Sequence, residues 1–276
     1  VAAHAAEGKN LMMTPTTTDT ARPRDSISTA IKDAAASGRP AVVAFMTAGF
    51  PDRAHFTQSL RAIATEVDVV EIGVPFSDPM ADGATIQRAS FASLQGGFTL
   101  RWLLDELEAM QPRPQAPVLL MSYLNPLLAF GLERLPETAR KAGVSGFIIP
   151  DLPYEEGADM RAALDRVGIA LVQMVTPVTP ATRLRMLCEA SQGFVYAVTM
   201  TGTTGKSVAV PDEVLDYMDR VKSMSPVPVC AGFGIRTAEQ VARMQGHVDG
   251  VVVGSALVEV LERGEDPAQF LRRLKS

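Results

Sequence analysis

Short β-branched runs alternate with longer stretches of helical period along almost the whole chain. That alternation limits the fold more than any other feature, because it is the pattern of parallel βαβ units rather than of hairpins. Eight runs read as strands: 41–47, 67–73, 117–121, 146–149, 169–175, 193–198, 227–231 and 250–254. Between and after them, 54–65, 100–110, 135–142, 157–167, 181–190, 212–224, 237–244, 258–262 and 267–274 carry helical spacing. Eight β/α units in roughly 250 residues imply closure. The expected fold is therefore α/β, a single (β/α)8 TIM barrel with an N-terminal extra helix, spanning residues 26–276 behind a flexible tail at 1–25. An open doubly wound sheet would show a GxGxxG turn after its first strand and an acid about 20 positions later, and neither is present. No Gly/Ser-rich linker divides the chain into two regimes.

Composition narrows the function classes. With 276 residues, 47% hydrophobic and a net charge of −5, the chain can bury one large core, and it lacks the clustered Lys and Arg that nucleic acid requires. Its apolar runs fall far short of the ~20 residues that span a bilayer, so no membrane partner is expected. Cys188 and Cys230 make no disulfide framework or CxxC pair, and His4, His55 and His247 are scattered. A cytoplasmic protein with no metal is the expectation.

In such a barrel the chemistry sits at the strand C-termini and the loops after them. The second strand contains Glu71, on the same face as Val69 and Gly73 by period-two alternation. Facing inward, Glu71 would be a carboxyl whose desolvation raises its pKa toward that of a general acid; facing outward, it would pair with an Arg on a covering helix. In the following loop Asp82 is close enough to reach the same bound ligand, and two carboxyls in unlike surroundings can divide labour. The alternative for that loop is plain turn chemistry, which suffices for Asp78-Pro79. Gly234, Gly254 and Ser255, in the loops after the last two strands, suit phosphate binding by backbone N–H groups and a helix N-terminus. The lysines are Lys9, Lys32, Lys141, Lys206, Lys222 and Lys275; none lies in an expected strand, so a buried Schiff-base lysine has no candidate.

The segment Glu71-Ile72-Gly73-Val74-Pro75-Phe76-Ser77-Asp78-Pro79-Met80-Ala81-Asp82-Gly83 resembles the signature of the tryptophan synthase alpha subunit family. Further matches are Thr47-Ala48-Gly49-Phe50-Pro51-Asp52, Tyr123-Leu124-Asn125-Pro126, Pro150-Asp151-Leu152-Pro153, Gly232-Phe233-Gly234-Ile235 and Gly254-Ser255-Ala256, so the resemblance runs from about Ile27 to the C-terminus. It implies a retro-aldol cleavage of indole-3-glycerol phosphate to indole and glyceraldehyde 3-phosphate, with no cofactor on this chain. By the same resemblance Glu71 is the acid–base group and Asp82 stabilises charge at the indole N–H. Phe45, Ile86, Met121 and Tyr123 match the indole pocket, and Tyr196, Thr204, Gly205, Phe233, Gly234, Ile235, Gly254 and Ser255 match the remaining substrate and phosphate surroundings. For the apolar members, core packing is an equal alternative.

The family's alpha subunit passes indole to a tryptophan synthase beta subunit carrying pyridoxal phosphate, in an α2β2 heterotetramer. Asp78-Pro79 and Asn125-Pro126 match the segments that face that partner. The chain departs from the family pattern at Thr199-Met200, where Ser-Arg is usual, and at Ala84, where Pro is usual. Two other readings follow from the same residues: an alpha-like subunit of weak or no activity that mainly activates a beta partner, and a free-standing indole-3-glycerol-phosphate lyase. The pathway's other phosphate-binding barrels fit less well, since the indoleglycerol phosphate synthase relies on strand lysines this chain lacks.

Overall fold

The computed structural model describes residues 22–199, 210–232 and 234–275. Strands β1 (Ala41–Thr47), β2 (Val69–Gly73), β3 (Val118–Met121), β4 (Val144–Ile148), β5 (Ala170–Val175), β6 (Val195–Val198), β7 (Val229–Gly232) and β8 (Gly250–Val253) pair in parallel, each with the next. Pairing of Ala41 with Gly250 brings β8 back to β1 and closes the barrel. Around it run α1 (Pro23–Ala36), α2 (Phe56–Ala64), α3 (Ala84–Gln95), α4 (Leu100–Ala109), α5 (Leu124–Phe130), α6 (Leu135–Lys141), α7 (Ala158–Val167), α8 (Ala181–Ala190), α9 (Asp212–Met224), α10 (Ala238–Met244), α11 (Ser255–Glu262) and α12 (Pro267–Leu274).

Every residue of β1 and β2 is buried, because the barrel interior covers one face and the helices cover the other. Val43, Val69, Leu119, Ile148, Val172, Phe194, Cys230 and Val252 fill the inside. Val42, Ala44, Ile72 and Leu120 point the other way, into a layer shared with Leu60, Leu103 and Leu104 of the helices.

Helix α1 decides which mouth of the barrel is open. Ile27, Ile31 and Ala34, spaced to share one helix face, join the interior cluster. Arg24 N–H donates to the Gly168 carbonyl at 3.0 Å and the Ser28 hydroxyl to the Gly193 carbonyl at 2.6 Å, and both glycines sit just ahead of strands. The helix therefore plugs the end where strands enter, leaving access only at their C-terminal ends.

The strands fall where the alternation puts them, to within two residues at each end. Helix α1 begins at Pro23, inside the stretch expected as tail, because proline suits the first helical position and the Asp25 carboxylate accepts the Arg22 N–H at 3.2 Å. Residues 1–21 lie outside the described residues. Helices α3 and α5 have no counterpart in the sequence reading. Helix α3 buries only Ala89, Ser90 and Ser93, so it lacks an apolar stripe, and α5 is short and contains Pro126. Helix α11 starts at Ser255, directly off β8 and three residues earlier than its apolar period suggests.

Candidate active site

Closure of the barrel resolves the direction of Glu71. With Val69 in the interior cluster, alternation along β2 turns Glu71 inward too, level with Phe45 on β1 and Leu119 on β3. The outward pairing with an Arg does not occur. Its side chain is fully buried and neither carboxyl oxygen has a hydrogen-bond partner. A charge there would have no donor and little solvent to stabilise it, so burial, reinforced by the Asp82 charge, pushes the pKa up to about 8. At neutral pH Glu71 keeps its proton.

Asp82 has a different setting. It is half-buried on the rim, in the loop between β2 and α3, and burial raises its pKa to about 6 while a hydrogen bond from the Tyr123 hydroxyl works the other way. Tyr123 is itself buried, accepts the Ala81 N–H at 2.8 Å and stacks at 5.3 Å on Phe76, so one phenol pins the loop that carries Asp82. The pair thus splits into a carboxyl inside the barrel whose pKa is pushed up to about 8 and one at its mouth that ionises more readily, at about 6.

Between them opens a cavity of about 500 Å³, a size suited to a small-molecule ligand. Of the residues singled out in the sequence, Phe45, Glu71, Asp82, Ile86, Met121, Tyr196, Gly234, Gly254 and Ser255 are brought together around it. Two glycines give the rings their place. A Cβ on Gly73 would lie 2.4 Å from Phe45 Cζ, and one on Gly232 would lie 2.6 Å from Tyr196 Cε1, so each ring lies across a strand end that carries no side chain. Tyr196 is half-buried, and desolvation of its phenol pushes its pKa well above the usual tyrosine value.

Two expected residues lie elsewhere. Tyr123 stands behind the wall and acts through Asp82 and Ala81, and Ile235 is buried in the layer between strands and helices. Thr204, Gly205 and Phe233 lie outside the described residues, as does Met200. The cavity also uses Ala81, Gly83, Thr199, Gly232 and Val252, which the sequence reading did not select. Thr199 and Gly232 stand at the C-terminal ends of β6 and β7, and that position was the signal available for them. Ala84 is the first residue of α3, where alanine fits as well as the family's proline.

The far wall presents backbone N–H groups. Gly234 has φ +70°, and α11 begins at Ser255 directly from β8, so its leading N–H groups, unpaired within the helix, face the cavity mouth. Among the described residues no three His, Cys, Asp or Glu side chains converge on a point that could hold a metal ion. A depression of similar volume around Arg22, Arg113 and Asp165 lies at the plugged end and contains no buried carboxyl.

A mouth with a buried carboxyl inside, an ionisable carboxyl on the rim and a helix N-terminus across from them, at the C-terminal strand ends, places the chain among the enzymes of the (β/α)8 class. The family model of the tryptophan synthase alpha chain matches residues 31–276. A tryptophan synthase alpha chain of Nitratidesulfovibrio vulgaris (strain DP4) is 44% identical over 243 residues, 88% of this chain and 95% of the relative. That of Desulfovibrio desulfuricans is 43% identical over 248 residues, 89% and 97% of the two chains. Among solved structures, aminoacrylate-bound tryptophan synthase from M. tuberculosis matches with a TM-score of 0.81 and 32% identity, covering 90% of this chain and 97% of the other. The tryptophan synthase α2β2 complex of Pyrococcus furiosus matches at 0.80 and 33%, covering 86% and 97%. The chain belongs to the tryptophan synthase alpha chain family.

Proposed function

We propose that the cavity cleaves indole-3-glycerol phosphate to indole and glyceraldehyde 3-phosphate, with Glu71 as the acid–base group and Asp82 as the charge stabiliser. The observation that carries this reading is the fully buried, unpartnered Glu71 carboxyl, protonated at neutral pH at the base of an apolar cavity. Its proton goes to C3 of the indole, and the carboxylate so formed accepts the proton of the adjacent side-chain hydroxyl. The bond from C3 to the hydroxyl-bearing carbon then breaks, its electron pair returns to the indole ring, and an aldehyde is left. Asp82, at the rim, holds the indole N–H as positive charge builds on the ring.

Phe45, Ile86 and Met121 would sandwich the indole, while Gly234, Gly254 and Ser255 would take the phosphate on backbone N–H groups. Proton transfers at C3 and at the side-chain hydroxyl, with the carbon–carbon cleavage they permit, make up the whole reaction, and the chain's own carboxyls supply them without a cofactor. Pyridoxal phosphate belongs to the partner, a tryptophan synthase beta subunit that accepts the indole in an α2β2 assembly. Met80, 83% exposed, and Leu128, 46% exposed, support this docking. They sit on the two segments tied together by the Ala81–Tyr123 hydrogen bond, and apolar exposure of that kind is what a partner covers. No helix among the described residues is long and apolar enough to cross a membrane, and we place the enzyme in the cytoplasm.

The test is Glu71→Gln, which removes the proton and almost no volume. Indole formation is expected to fall by at least about a hundredfold, with circular dichroism and binding to the beta subunit unchanged. Turnover like that of the unmodified chain would overturn the assignment.

A further inference from the structure

Three segments frame the anion-binding side of the cavity: the loop after β7 at Gly234, the start of α11 at Gly254 and Ser255, and the Asp82–Gly83 approach to α3. One carboxylate ties the three together. Glu259, one turn along α11 from Ser255, accepts both guanidinium donors of Arg236 at 2.8 and 2.9 Å and the Thr85 hydroxyl at 3.4 Å. Arg236 is two residues beyond Gly234, and Thr85 is three beyond Asp82. A turn further down the same seam, Arg88 pairs with Glu262 at 3.1 Å, so α3 and α11 are joined by two rungs.

The Arg236–Glu259 pair is bidentate and its carboxylate is shielded from solvent. The Glu259 carboxylate is 26% exposed against 59% for Glu137 of a pair on α6, while the two arginines, Arg236 and Arg140, are alike at 48%. A bidentate, partly buried pair is less screened and fixes direction as well as distance. The guanidinium holds the Glu259 carboxyl below the usual carboxylate range, so it stays ionised through the working pH. Arg236 is further anchored through its own N–H, which donates to the Gln240 side chain at 2.7 Å.

We propose that Glu259 is a positioning residue for the phosphate end of the substrate, holding the β7 loop and the Asp82 loop against the N-terminus of α11 so that the anion wall and the rim carboxyl are set as one unit. The inference rests on the reading of Gly234, Gly254 and Ser255 as the phosphate wall. Glu259 touches no substrate; it acts by keeping backbone N–H groups convergent, and displacements of an ångström at such groups are costly to binding and rate.

The experiment measures binding of glycerol 3-phosphate by calorimetry to the full chain and to Glu259→Gln, Arg236→Gln and the double variant, alongside steady-state cleavage of indole-3-glycerol phosphate. Each single variant is expected to weaken glycerol 3-phosphate by roughly tenfold and raise KM in step, with kcat changing much less. The double variant is expected to cost no more than either single change. Arg140→Gln, which breaks the α6 pair, serves as the control and is expected to stay within twofold of the unmodified chain. Affinities within twofold for both single variants, or additive losses in the double, would overturn the proposal, as would a drop in kcat at unchanged affinity. Failure of the unmodified chain to bind glycerol 3-phosphate would instead overturn the phosphate reading and the proposal with it. If Glu259→Gln does not fold, Arg236→Gln and Thr85→Val, at the two far ends of the bridge, decide the question by the same affinities.

Discussion

A carboxyl with no donor to stabilise its charge keeps its proton, and that makes Glu71 both useful and destabilising. Its pKa of about 8 lies above the ordinary glutamate value of 4.5, so the folded state holds a proton that the unfolded chain gives up from about pH 4.5 upward. Stability contributed by the neutral form is therefore present below pH 4.5 and lost as pH rises toward 8. Replacing Glu71 with Gln removes this penalty, and the variant is expected to gain stability relative to the unmodified chain by about 3 kcal/mol between pH 5 and pH 8. Urea titrations at the two pH values check it. Activity has the complementary shape. Asp82 must be ionised and Glu71 protonated, so kcat/KM should fall below about pH 6 and again above about pH 8, with the acid limb absent in Asp82→Asn. A profile flat from pH 5 to 9 would contradict both assignments. These two residues were legible in the chain as a carboxyl amid β-branched neighbours and a second acid in the next loop. The direction of Glu71 was not, because β2 is buried on both faces and alternation alone does not say which face is inside.

Helix α1 illustrates how one element sets the polarity of the site. Ile27 and Ile31 are fully buried among residues of the barrel interior, so the helix serves as a stopper on the strand-entry side. Ile31→Ala is expected to lower unfolding stability by roughly 2–5 kcal/mol through loss of contact and the cavity left behind, while KM stays within about twofold because the substrate cavity is at the opposite mouth. Denaturant unfolding and steady-state kinetics on the same preparation test the two halves of that statement. The helices that escaped the sequence reading share a cause. In α3 the buried positions are small, and α5 is only seven residues long with a proline in its first turn, so neither shows the apolar stripe that marks a helix. Yet α3 carries Ile86 to the cavity wall and Thr85 to the Glu259 carboxylate, and α5 presents Leu128 outward, so two of the functionally placed helices were the least visible ones.

As a complete molecule, the chain presents one open mouth and, beside it, an exposed apolar edge at Met80 and Leu128. That arrangement predicts low indole release by the chain alone and a marked rise when a beta subunit is added, measured with indole-3-glycerol phosphate in excess. High activity without a partner would favour the free-standing lyase, and none in either condition would favour the regulatory subunit. Much of this could be read from the sequence alone. Eight strand-like runs at barrel spacing pointed to a closed parallel barrel, and in that fold the chemistry sits at the C-terminal strand ends, where the βα loops converge on one mouth. The run from Glu71 to Gly83 supplied both acids within one strand and its loop. What waited for the tertiary structure was everything that depends on closure. Only when β8 returns to β1 does Glu71 acquire an interior to be buried in, and only then do Gly234, Ser255 and Asp82, separated by up to 173 residues in the chain, face one cavity. Local propensity specifies strands and helices, but a pKa and a binding wall arise from desolvation and convergence, which are properties of the packed whole.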